Sequence, residues 1–370
     1  MSCDFLALAQ PGVQKLSPYV PGKPVEELAR ELGLDPADIV KLASNENPLG
    51  PSPLAIQAIQ SALPELTRYP DGNGFTLKQA LAERFDVSPA MITLGNGSND
   101  ILELITRAFV GPQHEVVFSE HAFAVYPIVT QAVGARAVVV PARNWGHDLE
   151  AMAEAITPAT RLVFIANPNN PTGTWIGRGE LEAFLERVPE EVIVVLDEAY
   201  TEYVEDSDMP NGLDYLSGRP NLLVSRTFSK AYGLAALRVG YAMSNPAIAD
   251  AMNRVRQPFN VNSLALAAAV ATLGDVNYLA ESRLTNRQGM LQLEEGLQLM
   301  GLSWILSRGN FVAVDLGREA APVFQALLRE GVIVRPVANY GMPNHLRVTI
   351  GLKRENQRFL EALTKVLASD

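Results

Sequence analysis

The 370-residue sequence contains a single cysteine, Cys3. That excludes an intramolecular disulfide and any cysteine-cluster metal site, and it fits a reducing compartment. Histidine is nearly as scarce: His114, His121, His147 and His345 show none of the spacings that hold zinc, so no metal is expected. No apolar stretch reaches the ~20 uncharged residues that cross a bilayer. The N-terminus lacks a basic region followed by an apolar run. Positive charge is in deficit: 30 Lys and Arg stand against 41 Asp and Glu, a net charge of -11. Such a balance argues against a general binder of nucleic acid or anionic membrane, although a local basic pocket for a small anion stays open. Nucleotide motifs are missing too. There is no Gly-Lys-Ser/Thr of a Walker loop, and the segment Gly95-Asn96-Gly97-Ser98-Asn99-Asp100 places Asp where the dinucleotide fingerprint needs its last glycine. These absences lead to the expectation of a cytoplasmic protein with no nucleic-acid and no membrane partner.

What is present is globular. Hydrophobic residues make up 48% of the chain, enough for a large core, and the length predicts about two domains. Residues 1–44 mix Pro, Gly and short helical patterns, and Pro18, Pro21 and Pro24 suggest an extended arm. Segments 53–63 and 76–85 read as short amphipathic helices. From about residue 95, apolar β-branched runs alternate with helix-length patterns. The runs are 116–118, 137–140, 162–166, 192–196, 221–225 and 238–244. Continuous apolar runs separated by helices predict an α/β domain with a mostly parallel sheet buried on both faces. After about 275 the pattern changes to a long helix at 277–300, short strands at 311–316, 332–336 and 346–350, and a closing helix from 354. This is an α+β pattern and predicts a second, smaller domain, with the boundary between 250 and 280.

Four of the apolar runs end in dense polar or turn-rich stretches: Ser119-Glu120-His121-Ala122-Phe123, Asn167-Pro168-Asn169-Asn170-Pro171-Thr172-Gly173, Asp197-Glu198-Ala199-Tyr200 and Arg226-Thr227-Phe228-Ser229-Lys230. Open α/β sheets bind ligands beyond the carboxyl ends of their strands, so four such loops predict one crevice. The stretch around Gly97 reads as a phosphate cradle, with Ser98 or Asn99 capping the following helix; an ordinary capped helix would look the same. Asp197 closes a fully apolar run. A carboxylate there serves as a helix cap or meets a cation, either a protonated ring nitrogen or a metal, and the histidine spacing makes metal the poorer choice. Lys230 stands among apolar and small residues, where lost solvation lowers an ammonium pKa and favours a nucleophile or Schiff-base former; a lone lysine is otherwise a surface charge. Arg238, eight positions on, and the hydroxyls of Thr227 and Ser229 can hold a dianionic phosphate.

Cradle, buried Asp, Asn-Pro-Thr-Gly turn and Ser-Lys with a following Arg together describe pyridoxal 5'-phosphate. The sequence resembles the fold-type I aminotransferases and, within them, the histidinol-phosphate aminotransferase family. The resemblance runs nearly end to end, through Ser17-Pro18-Tyr19, Lys41-Leu42-Ala43-Ser44-Asn45-Glu46-Asn47-Pro48, Arg68-Tyr69-Pro70-Asp71, Asn169-Asn170-Pro171-Thr172-Gly173, Asp197-Glu198-Ala199-Tyr200, Ser229-Lys230 to Arg238 and Leu346-Arg347-Val348-Thr349. It implies an N-terminal arm over 1–48 that joins the small domain, a large cofactor domain over 49–265 and a small domain over 266–370. It implies transamination between histidinol phosphate and 2-oxoglutarate, giving imidazole acetol phosphate and glutamate, in histidine biosynthesis. Lys230 would carry the cofactor and then serve as base and acid for a 1,3-proton shift. Asp197 would pair with the pyridinium nitrogen, Asn170 and Tyr200 with the phenolic oxygen, and Gly97, Ser98, Asn99, Thr227, Ser229 and Arg238 with the phosphate. The stacking position, usually Tyr in the family, falls on Phe123, with Tyr126 as the alternative. Tyr69 would reach the phosphate across a homodimer interface. Tyr19 on a lid, Asn47, Arg335 and Arg347 would meet substrate, the two arginines through its anions. Rivals on the same fold are an aromatic amino acid aminotransferase and a phosphothreonine decarboxylase. A non-enzymatic pyridoxal-phosphate-binding regulator would need a DNA-binding region, and residues 1–44 lack a basic helix-turn-helix pattern.

Overall fold

A computed structural model describes residues 3–368. The short strand β1 (Val40–Lys41) pairs in parallel with β11 (Val332–Ile333), which ties the N-terminal segment to the C-terminal part of the chain. The large sheet contains β2 (Ile92–Gly95), β3 (Glu115–Ser119), β4 (Arg136–Val140), β5 (Thr160–Ala166), β6 (Ile193–Asp197), β7 (Leu222–Thr227) and β8 (Gly240–Ser244). Its order is β2-β8-β7-β6-β5-β3-β4. Strands β3 to β7 run parallel, and β8 is antiparallel to both neighbours.

The continuous apolar runs of β5 and β6 have a direct cause. Val163, Ile165, Val194 and Leu196 enter the hydrophobic core on one face, while Leu162, Phe164, Ile193 and Val195 enter the core on the other. Both side-chain sets are buried, so alternation disappears from the sequence. Strand β4 departs from the expected two-sided burial: it is the sheet edge, and Val139 is half exposed. Strand β2 was not anticipated. Four residues carry too short a pattern, and it becomes a strand through its register with Gly240–Met243 of β8.

The smaller sheet is antiparallel, with β9 (Ser303–Ile305), β10 (Phe311–Asp315), β12 (Arg335–Pro336) and β13 (His345–Thr349) in the order β12-β13-β10-β9. Its core joins Val312, Val314 and Val348 to Phe359 and Leu363 of the closing helix Lys353–Ala368, and takes in Leu42 from the N-terminal segment. The long helix Val276–Leu299 serves both cores: Leu279 packs with the large sheet, Leu293 and Leu297 with the small one. Ala265, Ala268, Ala269 and Leu273 also pack with the large sheet, so the division expected at 265 cuts through its core. No single helix among the described residues is long and apolar enough to cross a membrane.

Candidate active site

The parallel strands β5, β6 and β7 are adjacent, so the loops after Ala166, Asp197 and Thr227 leave the same edge of the sheet. Strand β2 runs in their direction, because each is antiparallel to β8. The helix Ser98–Phe109 therefore starts at that edge, and Arg238, which precedes β8, arrives there as well. Between this edge and the small sheet lies a cavity of about 190 Å³. Its walls carry Lys230, Asp197, Tyr200, Asn170 and Phe123 from the large domain, Ser98, Asn99, Thr227, Ser229 and Arg238 at one end, and Tyr19, Arg335 and Arg347 from the other side. A wider cleft of about 850 Å³, where residues 143–150 and 174–187 meet 304–306, contains none of these groups.

At the cradle end, Gly97 rather than Ser98 or Asn99 is the helix N-cap, with φ 79. A Cβ on Gly97 would overlap the Arg238 guanidinium, so only glycine lets helix terminus and arginine meet. Arg238 donates from Nη1 to Ser229 Oγ at 3.2 Å. Hydroxyls, a guanidinium and the N–H groups of a helix start thus face one small volume, an arrangement suited to a dianion.

Asp197 ends β6 and is buried. Its Oδ2 accepts a 2.9 Å hydrogen bond from Tyr126, while its Oδ1 has no partner. Burial raises its pKa to about 6, against the pull of the Tyr126 hydrogen bond. A buried carboxylate oxygen without a donor is costly and calls for a cationic N–H from the cavity. Tyr126 is wholly buried behind Asp197, stacked on Phe164, and Phe123 is the residue of that loop in the cavity wall.

Lys230 donates from Nζ to the Ser44 carbonyl at 3.0 Å. Burial, with Arg347 and Arg238 adding to it and Glu46 and Asp197 opposing, lowers its pKa to about 7. A substantial share of the amine is therefore neutral at physiological pH and able to attack a carbonyl. The cofactor-free protein should capture a small aldehyde at Lys230 with a rate that rises through pH 7 and levels off by about pH 8. Stopped-flow absorbance checks this, and a midpoint near the ordinary 10.5 would mark Lys230 as a plain surface amine.

Arg335 and Arg347 are register partners across β12 and β13. Both are nearly buried. Arg347 donates from Nη1 to Asn170 Oδ1 at 2.5 Å and from Nη2 to the Ala43 carbonyl at 2.7 Å, leaving its Nε without a partner. Arg335 donates to the Val20 carbonyl at 2.6 Å and lies 5.5 Å from the centre of the Tyr19 ring.

Two predicted residues are elsewhere. Tyr69 is 82% exposed and stacks on Phe259 rather than entering the cavity of its own chain. Asn47 is not in the cavity wall: its Nδ2 faces the Ala231 carbonyl, Tyr278 and Ser282, and its Oδ1 accepts from Leu49 N–H. The neighbouring Asn45, which sequence reasoning passed over, lines the cavity and donates to Tyr200 Oη at 2.8 Å. The Asn-Glu-Asn-Pro motif held both asparagines, but only the fold tells which one faces inward.

The cavity residues fit pyridoxal phosphate. The orphaned Asp197 oxygen matches a protonated ring nitrogen, the glycine-lined cradle matches its phosphate, and a lysine of depressed pKa matches its aldehyde. A profile of the family described as "Aminotransferase class I and II" matches residues 37–363. Histidinol-phosphate aminotransferase 2 of Pseudomonas fluorescens Pf-5 is 74% identical over 368 residues, covering all of both chains. The protein of the same name from Pseudomonas aeruginosa PAO1 is 72% identical over 99% of this chain and all of its own. Among solved structures, histidinol-phosphate aminotransferase from Sinorhizobium meliloti in complex with pyridoxal-5'-phosphate superposes with a TM-score of 0.90 at 33% identity, over 97% of each chain.

Proposed function

The chain belongs to the class I and II aminotransferases, among the histidinol-phosphate aminotransferases, and from that premise we propose that it transfers an amino group between histidinol phosphate and 2-oxoglutarate with pyridoxal phosphate as cofactor. When bound, pyridoxal phosphate supplies an aldehyde that condenses with amines and an electron-poor ring that draws off carbanion electrons. Lys230 would hold the aldehyde end and, once displaced, its neutral Nζ would take a proton from one reacting carbon and return it to the other. Asp197, through its free Oδ1, would keep the ring nitrogen protonated. Asn170 donates from its amide nitrogen, because its oxygen already accepts from Arg347. Phe123 would cover one ring face, and Gly97, Ser98, Asn99, Thr227, Ser229 and Arg238 would hold the phosphate.

The observation that carries the substrate reading is the Arg335–Arg347 pair, two guanidiniums from adjacent strands in one small cavity. One substrate brings carboxylates and the other a phosphate, and a guanidinium fork suits both anions. Arg347→Ala should slow both half-reactions. Arg335→Ala should slow the one with histidinol phosphate by about 10- to 100-fold and the one with glutamate far less, as befits a charged hydrogen bond of ~1.5–3 kcal/mol. Single-turnover absorbance with each donor alone measures the split; equal losses in Arg335→Ala would make an aromatic amino acid the better donor. The reading as a whole is tested with histidinol phosphate, phenylalanine, tyrosine and phosphothreonine, each with 2-oxoglutarate and scored for glutamate. Histidinol phosphate should have the highest kcat/KM.

Assembly is part of the proposal. Tyr69 and Phe259 form an exposed stack, and Leu66 and Phe75, near Tyr69 in the chain, are exposed too, apolar groups suited to a second copy. A two-fold dimer would carry Tyr69 to the phosphate of the neighbouring site. Tyr69→Phe should then lose cofactor faster on dialysis, whereas a fully active monomer in sedimentation at assay concentration contradicts the shared site.

A further inference from the structure

Tyr200 sits in the cavity wall with its phenol buried, and burial holds its proton on well above the ordinary tyrosine range. A buried neutral hydroxyl can either donate to the bound cofactor or accept from it. Which of the two it does depends on what else bonds its oxygen.

Asn45 decides this. It is 1% exposed, with φ 55, and its side chain faces Tyr200 on one side and Thr349 on the other. Thr349 ends β13, two positions after Arg347. The Thr349 Oγ1 accepts from the Asn45 backbone N–H at 2.9 Å, so its own proton is free to reach Asn45 Oδ1 at 3.2 Å. In this arrangement the Asn45 Oδ1 accepts from Thr349 and the Nδ2 group donates to Tyr200 Oη at 2.8 Å. The Tyr200 oxygen is then an acceptor toward Asn45, and its proton is turned toward the cavity.

We propose that Asn45, oriented by Thr349, is a positioning residue that makes Tyr200 a hydrogen-bond donor to the bound cofactor's phenolic oxygen. The inference rests on the reading of this cavity as a pyridoxal-phosphate site. A donor at a phenolate oxygen stabilises its negative charge and competes with the proton on the neighbouring nitrogen. Asn45 therefore tunes the pH at which the bound cofactor titrates without touching it. The relay also joins three parts of the chain: Asn45 follows the segment tied to β11, Thr349 belongs to the small sheet, and Tyr200 follows β6 of the large one.

The test is a pH titration of the visible absorbance of the holoenzyme without substrate. Asn45→Asp keeps the shape but replaces the donor by an acceptor, so the Tyr200 proton turns away from the cavity. The titration midpoint should rise by about one pH unit. Thr349→Val, which removes the proton that orients the amide, should raise it by a smaller amount. In a Tyr200→Phe background Asn45→Ala should add nothing, because its effect passes through the hydroxyl. An unchanged midpoint in Asn45→Asp with the cofactor still bound overturns the proposal, and so does an equal Asn45→Ala shift with and without the Tyr200 hydroxyl. If Asn45→Asp does not fold, the Thr349→Val midpoint and the double-variant comparison decide. Lack of a visible band in the unaltered protein would instead count against the cofactor reading itself.

Discussion

Lys230→Ala should lower turnover by at least about 10⁴-fold while the protein still binds pyridoxal phosphate through the cradle. Among the described residues the lysine is the only amine in the cavity wall, and burial together with Arg347 and Arg238 lowers its pKa to about 7. Alanine removes both the group proposed to hold the aldehyde and the base proposed to move the proton. It leaves Gly97, Ser98, Thr227, Ser229 and Arg238 untouched, so the proposed phosphate contacts should persist. Retention after dialysis, read by absorbance, together with an absence of glutamate formation is the expected pair of results. Turnover near that of the parent would refute the assignment of Lys230, and loss of the cofactor would show that the phosphate cradle cannot hold it unaided.

Asp197→Asn should cut turnover by about 10²–10³-fold, the scale on which a preorganised charge at the reacting group acts. The same change should stabilise the cofactor-free fold at neutral pH. Below pH 3.8 the carboxyl is neutral in both folded and unfolded chains, and its burial carries no charge penalty. Between 3.8 and about 6 the unfolded chain ionises first, and above about 6 the full penalty is present. The gap between those values corresponds to roughly 3 kcal/mol. Thermal melts of the cofactor-free variant should therefore exceed the parent at pH 8 and converge with it as pH falls toward 4. Equal melts at pH 8 would mean that the buried charge costs nothing and has no need of a cation. A carboxylate kept where it destabilises the empty protein is the pattern expected of a functional group.

The secondary structure was legible wherever a segment was long enough to repeat its period. The runs of β5 and β6, the helix Val276–Leu299 and the closing helix Lys353–Ala368 all lie within a few residues of their expected positions. Strand β2 was not, since four residues hold no period and its partner is about 150 residues away. The edge position of β4 was hidden for a similar reason: Ala137–Val140 reads as buried, and only the order of the sheet leaves one side open. Asn47 misled because motif membership does not say which way a side chain points. It faces Tyr278 and Ser282 outside the cavity wall, where Asn45 stands instead.

By itself the sequence determined which chemistry is available. One lysine in an apolar setting, one aspartate at the tip of an apolar run, and glycine, hydroxyl and arginine in spacings suited to a phosphate are properties of composition and local order. Local order also implied that the polar loops lie at one sheet edge, because parallel strands joined by helices all end on the same side. The tertiary structure alone decided how those groups are oriented. Tyr126 bonds Asp197 across 71 positions, and Arg347 bonds Asn170 across 177. Asn45 and Thr349 meet across 304. No local pattern encodes such pairs, since each depends on where whole sheets and segments pack, and hydrogen-bond direction at a buried site is set by which donors and acceptors the fold brings to each oxygen.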